Sequence, residues 1–375
     1  MKIRAALFLL TAAFLAPVAS MEAKAYVNPE CTPCPPADPC AKCAQIWPDH
    51  GPNWIITPHG GPCVACGFDA HITAEFIYWT GREEHLGFAY KETFDTVDSR
   101  QTVASKGSIY EPDWNFRPGF RVGVGVLRNH DGWDVYANYT WLVIRNTKNT
   151  VRKGKPNEQI IPIGTFTFAG ASPDLVTSSS GKWTLDFNVV DLELGRNFFI
   201  SRYLTLRPHF GLKGTWQKQS FDVSTFSDTS AKLPWDQYLS DNSLDYWGIG
   251  ICAGLDTAWH LNRCSSVVAE VATCAMWERF TVDAKATRTS STNAAPNVAV
   301  LNVEKSFHTI KPVLELFLGA RWETWFCCDN FHFSIEGGWE QQWWGDQNQF
   351  FDSATQSRLG DLVLQGFTMK LRLDF

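Results

Sequence analysis

The chain closes on DLVLQGFTMKLRLDF, residues 361–375. Taken two apart, Val363, Phe367, Met369, Leu371, Leu373 and Phe375 share one side, with Gln365 the polar member among them. Gly366, Thr368, Lys370, Arg372 and Asp374 share the other. A period of two with one oily and one charged face belongs to a strand, because a helix repeats every 3.6 residues. In an exported bacterial chain, such a strand ending on Phe375 has the form of an outer-membrane assembly signal. The expected fold class is all-β, a transmembrane antiparallel up-and-down β-barrel with this segment as its last stave.

Composition agrees with that expectation. Aromatic residues are abundant, with 17 Trp, 26 Phe and 9 Tyr against 4 Met among 375 residues. A soluble core has no need of so much Trp, whereas a barrel places aromatic girdles at two lipid–water boundaries. The formal charge is −6 and the Lys and Arg residues are dispersed, so no nucleic-acid partner is expected. Beyond residue 25 no apolar run approaches the length of a membrane helix. Lys2 and Arg4 precede the apolar stretch Ala5–Val18, and small residues offer cleavage after Ser20 or Ala25. Residues 1–25 thus read as a signal peptide.

Eleven cysteines in an exported chain read first as disulfide candidates. Cys31, Cys34, Cys40, Cys43, Cys63 and Cys66 form three C-x-x-C pairs within a Cys- and Pro-rich periplasmic segment, 26–67. That spacing also suits zinc, but an oxidising compartment favours disulfides, and no metal or other cofactor is expected. Cys264, Cys327 and Cys328 fall at tight turns on the same side of the membrane as that segment. Cys252 and Cys274 lie nearly equidistant from the turn at 261–264, which would set them opposite each other across two strands. Small apolar filling is the plainer reading of that pair.

The barrel proper is expected over 68–375. An opening strand, 68–79, is followed by hairpins 116–128/133–145, 183–198/203–216, 246–259/267–280 and 308–322/331–343, and then the closing strand. Tight turns near 130, 201, 262 and 328 alternate with long polar segments at 81–115, 146–181, 220–245, 281–307 and 345–359. Short turns on one side and long loops on the other give ten strands, with both termini and the short turns in the periplasm and the loops outside. A β segment at 160–168 would raise the number to twelve.

The phrases HDGWDVYANYTW (130–141), DLELGRNFFISRYLTLRPHFGLKG (191–214), DYWGIGICAGLD (245–256), KPVLELFLGARWE (311–323) and GGWEQQWWGDQNQF (337–350) resemble a family of bacterial major outer membrane proteins. That family is described from Legionella and from amoeba-associated chlamydiae, and the resemblance covers roughly 68–375. It implies an outer-membrane, pore-forming protein that in the chlamydial branch is cysteine-rich and disulfide-linked to its neighbours. It supplies no catalytic residue.

Inward positions on these strands are mixed in charge. Arg121, Asp191, Glu193, Arg207, His209, Lys213, Asp256, Glu270, Lys311, Glu315, Glu336, Lys370 and Arg372 are the candidate pore-lining residues. Glu193 is expected to face Arg207 or His209 across a hairpin. The functional reading is a wet, charged lumen passing small hydrophilic solutes or ions, with inward glycines at 119, 123, 125, 248, 250, 254, 319 and 338 thinning the wall. The plainer reading is a lumen filled by salt bridges, since about eight strands leave room only for side chains. A closed barrel with a structural or adhesive role is then the alternative. Outward Trp133, Trp141, Trp183, Trp216, Trp259, Trp277 and Trp322 are the girdle candidates.

No GxSxG, HExxH or phosphate loop occurs, and no enzyme is expected; a pair of acids with His at the outer rim, for instance near Asp346 or Asp352, would be an opening for one, but nothing in the sequence selects it. Expected partners are outer-membrane lipid, small solutes or ions, disulfide-linked envelope proteins and further copies of the chain.

Overall fold

The computed structural model describes residues 62, 64, 69–98, 101–128, 133–145, 147–155, 157–163, 176–201, 203–227, 237–262, 264–289, 297–327, 330–351 and 358–375. The readings made for the signal peptide, for the six leader cysteines, for Cys328 and for the turn at 129–132 lie outside them. Fifteen strands occur among the described residues. In chain order they are β1 (Ala70–Glu83), β2 (Ala89–Asp98), β3 (Gln101–Tyr110), β4 (Arg117–Arg128) and β5 (Trp133–Ile144). Next come β6 (Asn149–Arg152), β7 (Glu158–Pro162), β8 (Val176–Arg196), β9 (Phe198–Ser201) and β10 (Leu204–Ser227). The last five are β11 (Gln237–Asn262), β12 (Ser265–Thr289), β13 (Asn297–Phe326), β14 (Phe331–Asn348) and β15 (Gly360–Asp374).

Ten of these close into a ring of antiparallel pairs, in the order β1, β4, β5, β8, β10, β11, β12, β13, β14, β15 and back to β1. The seam between first and last runs from His71↔Asp374 to Glu83↔Leu362. Beyond it the Phe375 N–H donates to the Ala70 carbonyl at 2.9 Å, and the Ala70 N–H returns to Phe375 at 3.1 Å. Closure satisfies every edge, which is what permits a sheet to cross lipid. The ring therefore has ten strands, not twelve. Part of the 160–168 segment does form a strand, β7, but it joins β2 and β3 in a separate three-stranded sheet.

Along the ring, side chains alternate as the sequence pattern requires. Phe120, Val122, Val124 and Val126 on β4 are exposed, as are Ile249, Ile251 and Trp259 on β11. Trp247 and Trp259 bracket the outward apolar run of β11. Twelve steps at about 3.3 Å cover about 40 Å of strand, or about 30 Å of height at a barrel tilt near 40°. Trp141, Trp277 and Trp322 are exposed on the outer side, Trp277 meeting Trp247 edge to face, and Trp133 and Trp216 are half-exposed on that side.

Two expectations need correction. Trp183 is no girdle residue: it is fully buried inside the ring, and its indole N–H donates to Gln219 Oε1 at 3.1 Å. The segments at 220–245 and 281–307 are also not loops for most of their length. Pairing continues from Lys218↔Asp245 to Phe226↔Gln237, and from Thr281↔Ser306 to Thr289↔Asn297. Polar residues such as Lys218, Asp222, Asp283 and Lys285 made these stretches read as loops, yet they occupy only the outer face. The inner face carries Phe221, Val223, Phe280 and Val282, all buried. Past the girdle the amphipathy is inverted: water outside, oil inside.

Removing Phe375 deletes two seam hydrogen bonds together with the last outward ring. Expected is a lower fraction of folded barrel, read as fast-migrating, heat-modifiable protein in unboiled outer-membrane samples. An undiminished folded fraction would remove the residue from the closure step.

Candidate functional site in the barrel lumen

Reading each strand inward from its turn end gives the same order of side chains. On β1 it is His71, Thr73 and Glu75, followed by Ile77 and Trp79. On β15 it is Asp374, Arg372, Lys370 and Thr368, then Leu364 and Leu362. On β8 it is Glu193 and Asp191, then Val189, Phe187, Leu185 and Trp183. The lumen is built in two layers, charged toward the turns and apolar toward the loops.

Ion pairs cross the charged layer. Arg207 is its most connected member: Nη2 lies 2.6 Å from Asp134, and Nη1 lies 3.0 Å from Glu193 and 2.8 Å from Asp256. Arg121 holds Glu75 and Glu340, each at 2.8 Å, and donates through Nε to Thr140. Lys213 sits between Asp191 at 2.6 Å and Glu315 at 2.9 Å. Arg321 pairs with Glu336 at 2.7 Å. Nearer the turns, Asp374 takes Arg372 and His332, both at 2.6 Å. Several of these pairs skip strands: Arg121–Glu340 passes over β1 and β15, and Lys213–Glu315 over β11 and β12. Such chords tie the wall together across the interior.

Around them remains a cavity of about 490 Å³. Arg121, Asp191, Glu193, Arg207, His209, Asp256, Glu270, Glu315, Glu336, Lys370 and Arg372 line it, as do Glu75, Asp134, Tyr136, Glu323, Glu340 and Asp374. Two candidates stand elsewhere. Lys213 is buried in the wall between its two acids, and Lys311 lies at the loop end, 3.4 Å from Asp346. Glu193 is opposite Gly211, not Arg207 or His209, and Arg207 reaches it diagonally. Glu75 and Asp134, at inward positions of β1 and β5, are lining acids beyond the candidate residues. Their strand parity was the available signal.

The inward glycines do not widen the lumen. A Cβ on Gly125 would fall 2.2 Å from the His71 ring, and one on Gly254 would fall 2.4 Å from His209. At Gly319 and Gly338 the Phe317 ring fills the space. Glycine here admits a neighbour's ring in place of a side chain of its own. Cys252 and Cys274 are opposite in register on the inner face and form a disulfide, with Cα atoms 4.1 Å apart. Cys264 is also disulfide-bonded, while Cys327 is an exposed free thiol at the turn between β13 and β14.

The apolar layer closes the other half. Trp79, Trp183, Phe187, Phe280, Trp344, Leu362 and Leu364 are fully buried, joined by Leu86 and Phe88 from beyond β1 and Phe350 from beyond β14. Phe187 and Trp344 meet edge to face with ring centroids 5.5 Å apart. Their strands, β8 and β14, are five places apart in a ring of ten. The contact therefore spans the lumen. Among the described residues no group of three or more His, Cys, Asp or Glu side chains is disposed to hold a metal. Asp352, one of the two rim acids considered for catalysis, lies outside the described residues.

The family model described as Legionella pneumophila major outer membrane protein precursor matches residues 61–375. No curated protein matches the chain. Solved barrels of similar arrangement include the outer membrane protease OmpT of Escherichia coli, with 9% identity over 82% of this chain and 96% of that one, at a TM-score of 0.36. A Pseudomonas aeruginosa FadL homologue shares 8% identity over 82% and 89%, at a TM-score of 0.24. Ail of Yersinia pestis shares 13% over 58% and 92%, at 0.19.

Replacing Arg207 by Met leaves Asp134, Glu193 and Asp256 facing one another without their cation. Stranding buried charge in this way costs about 3–5 kcal/mol, so urea unfolding of the refolded barrel, followed by Trp fluorescence, should shift to a clearly lower midpoint. Arg207→Lys should recover part of the loss. A midpoint unchanged in Arg207→Met would mean the cluster contributes nothing to stability.

Proposed function

The chain belongs to the family of the Legionella pneumophila major outer membrane protein, and from that premise we propose a barrel that is shut at rest and strengthens the outer membrane as a structural element. The Phe187–Trp344 contact across the lumen is the observation that carries this reading. A layer of fully buried aromatic and aliphatic side chains excludes water and raises the cost of moving an ion past it. The projecting wall above the girdle is polar outside and packed inside, which suits a rigid pillar standing clear of the lipid. In this reading the wall faces the exterior and the tight turns face the periplasm.

Disulfides extend the role from one barrel to the envelope. Cys327 is exposed and unbonded at a turn, where a neighbouring protein can reach it. Non-reducing gels of intact envelopes should show high-mass species containing this chain, diminished by Cys327→Ser and collapsed by reductant. Monomer alone in the unreduced sample would remove the cross-linking role.

The cavity of about 490 Å³ favours a second reading, in which small hydrophilic solutes diffuse through the lumen once the apolar layer parts. Planar-bilayer recording separates the two. The unmodified barrel should give no regular steps, and a Phe187→Ser/Trp344→Ala variant should conduct and admit small sugars in liposome swelling. Stable steps from the unmodified protein would overturn the shut barrel in favour of the diffusion pathway.

A further inference from the structure

The ring strands differ in length, and above the girdle the wall gives up its closure on one side of β13. The turn-end half of β13 pairs with β14 from Phe326↔Phe331 to Val313↔Trp344. There the two strands part. Pro312 has no N–H to offer a ladder. Beyond Trp344 the chain turns away at Asp346, which takes a φ of 50°, and Gln347, Asn348 and Phe350 are buried. β13 itself runs on to Asn297, paired with β12 alone. Among the described residues no strand and no backbone hydrogen bond meets its other side over 297–312.

A free edge is a row of N–H and C=O groups left to water, and it templates a further strand. This one stands clear of lipid. Ile310 is opposite Trp277, which meets Trp247 at the end of the outward apolar run of β11, and the rest of the edge lies beyond that level. Asn302, Val303, Glu304, Lys305 and Ser306 are exposed in succession, so both faces of the strand have lost their cover. One strand away, Val282 and Ala284, the partners of Lys305 and Val303, are buried. The inner packing of the wall therefore stops one strand short of its edge.

Side chains along the edge set the chemistry of what would cover it. On the inner face lies a cavity of about 260 Å³, lined by Val282, Val303, Lys305, Phe307 and Phe351 among others. The Lys305 ammonium sits 5.0 Å from the centroid of the Phe307 ring. On the outer face Glu304 is opposite Asp283, and neither has an ion pair among the described residues. Like charges directly opposite are destabilising, and a cation on the next strand relieves them. Backbone hydrogen bonds for affinity and a pocket for alternate side chains are what a sheet edge uses to bind an extended peptide. We propose that the 297–312 edge of β13 takes an extended segment of another polypeptide as an added strand, with a basic residue beside Glu304 and apolar residues on either side of it reaching into the cavity. A second copy in the same membrane does not fit. Pairing its own edge antiparallel here takes a two-fold axis perpendicular to the wall, which would turn that barrel upside down. The inference needs the wall to stand in water and does not depend on whether the lumen conducts.

A fluorescein-labelled peptide, TVTFKFTVT, serves as the probe: as a strand it turns Lys to one face and Phe and Val to the other. Its fluorescence anisotropy is followed against the full barrel in detergent, with the signal from micelles alone subtracted. Expected is saturable binding, about tenfold weaker for the same peptide N-methylated along its backbone, which keeps the side chains and loses the N–H donors. Glu304→Lys should weaken the Lys peptide about fivefold and favour the peptide with Glu in its place. Asp245→Lys, exposed on β11, should alter neither affinity. Heat-modifiability checks folding, and light scattering reports the mass of the barrel. Absence of saturable binding would overturn the proposal, as would equal binding of the N-methylated peptide or an unaltered preference in Glu304→Lys. A doubled mass that Glu304→Lys abolishes would overturn it too, by giving the edge to a second copy.

Discussion

Lipid offers no hydrogen bonds, so each backbone N–H and C=O that crosses it must find a partner in the protein. In this chain the constraint is met at one seam, where β1 pairs with β15 from His71↔Asp374 to Glu83↔Leu362. Everything else in the lumen depends on that closure. A ring of ten strands encloses little more than its own inward side chains, so residues far apart in the sequence are forced into contact. Arg121 on β4 finds Glu340 on β14, and Phe187 finds Trp344 across the full width.

The two luminal layers solve different problems. In the girdled zone, lipid claims the apolar side chains for the outside, leaving charged and small residues within. Buried charge is tolerable only when paired, and Arg207, Arg121 and Lys213 each hold two or more acids. Pairs of this kind are weak as a source of stability, but breaking one is expensive. They act as pegs that hold the register and the cross-section. Above the girdle, water claims the polar side chains and the interior becomes an ordinary core, where each fully buried Leu or Phe is worth about 1.5–3 kcal/mol. That inversion packs the loop-end half of the lumen with apolar side chains, among which Glu83, Glu278, Gln217 and Gln347 are buried polar exceptions.

Much of this was written locally. Period-two alternation does not depend on the neighbours of a strand, so residues 361–375 alone reveal which of their side chains face lipid. The positions of the tight turns likewise set the order of the ten ring strands, and equal spacing from the 261–264 turn placed Cys252 opposite Cys274. The inverted stretches carried a signal too: Phe221 and Val223 alternate with Asp222 and Ser224 as strictly as any membrane strand. Their polar outer face was simply easier to see than their apolar inner one.

What no local pattern contains is the view across the lumen. Trp183 shares strand parity with the inward Asp191 and Glu193, so its inward face was legible locally, but its partner Gln219 on β10 was not. Whether inward glycines open a channel depends on whether a ring such as His71 or Phe317 leans into the space, which only the assembled neighbours decide. The ion-pair partners of Arg207 and the meeting of Phe187 with Trp344 are likewise products of closure. Alternation is a property of one strand, and so the sequence by itself determined the wall; enclosure is a property of ten, and so the tertiary structure alone decided what fills it.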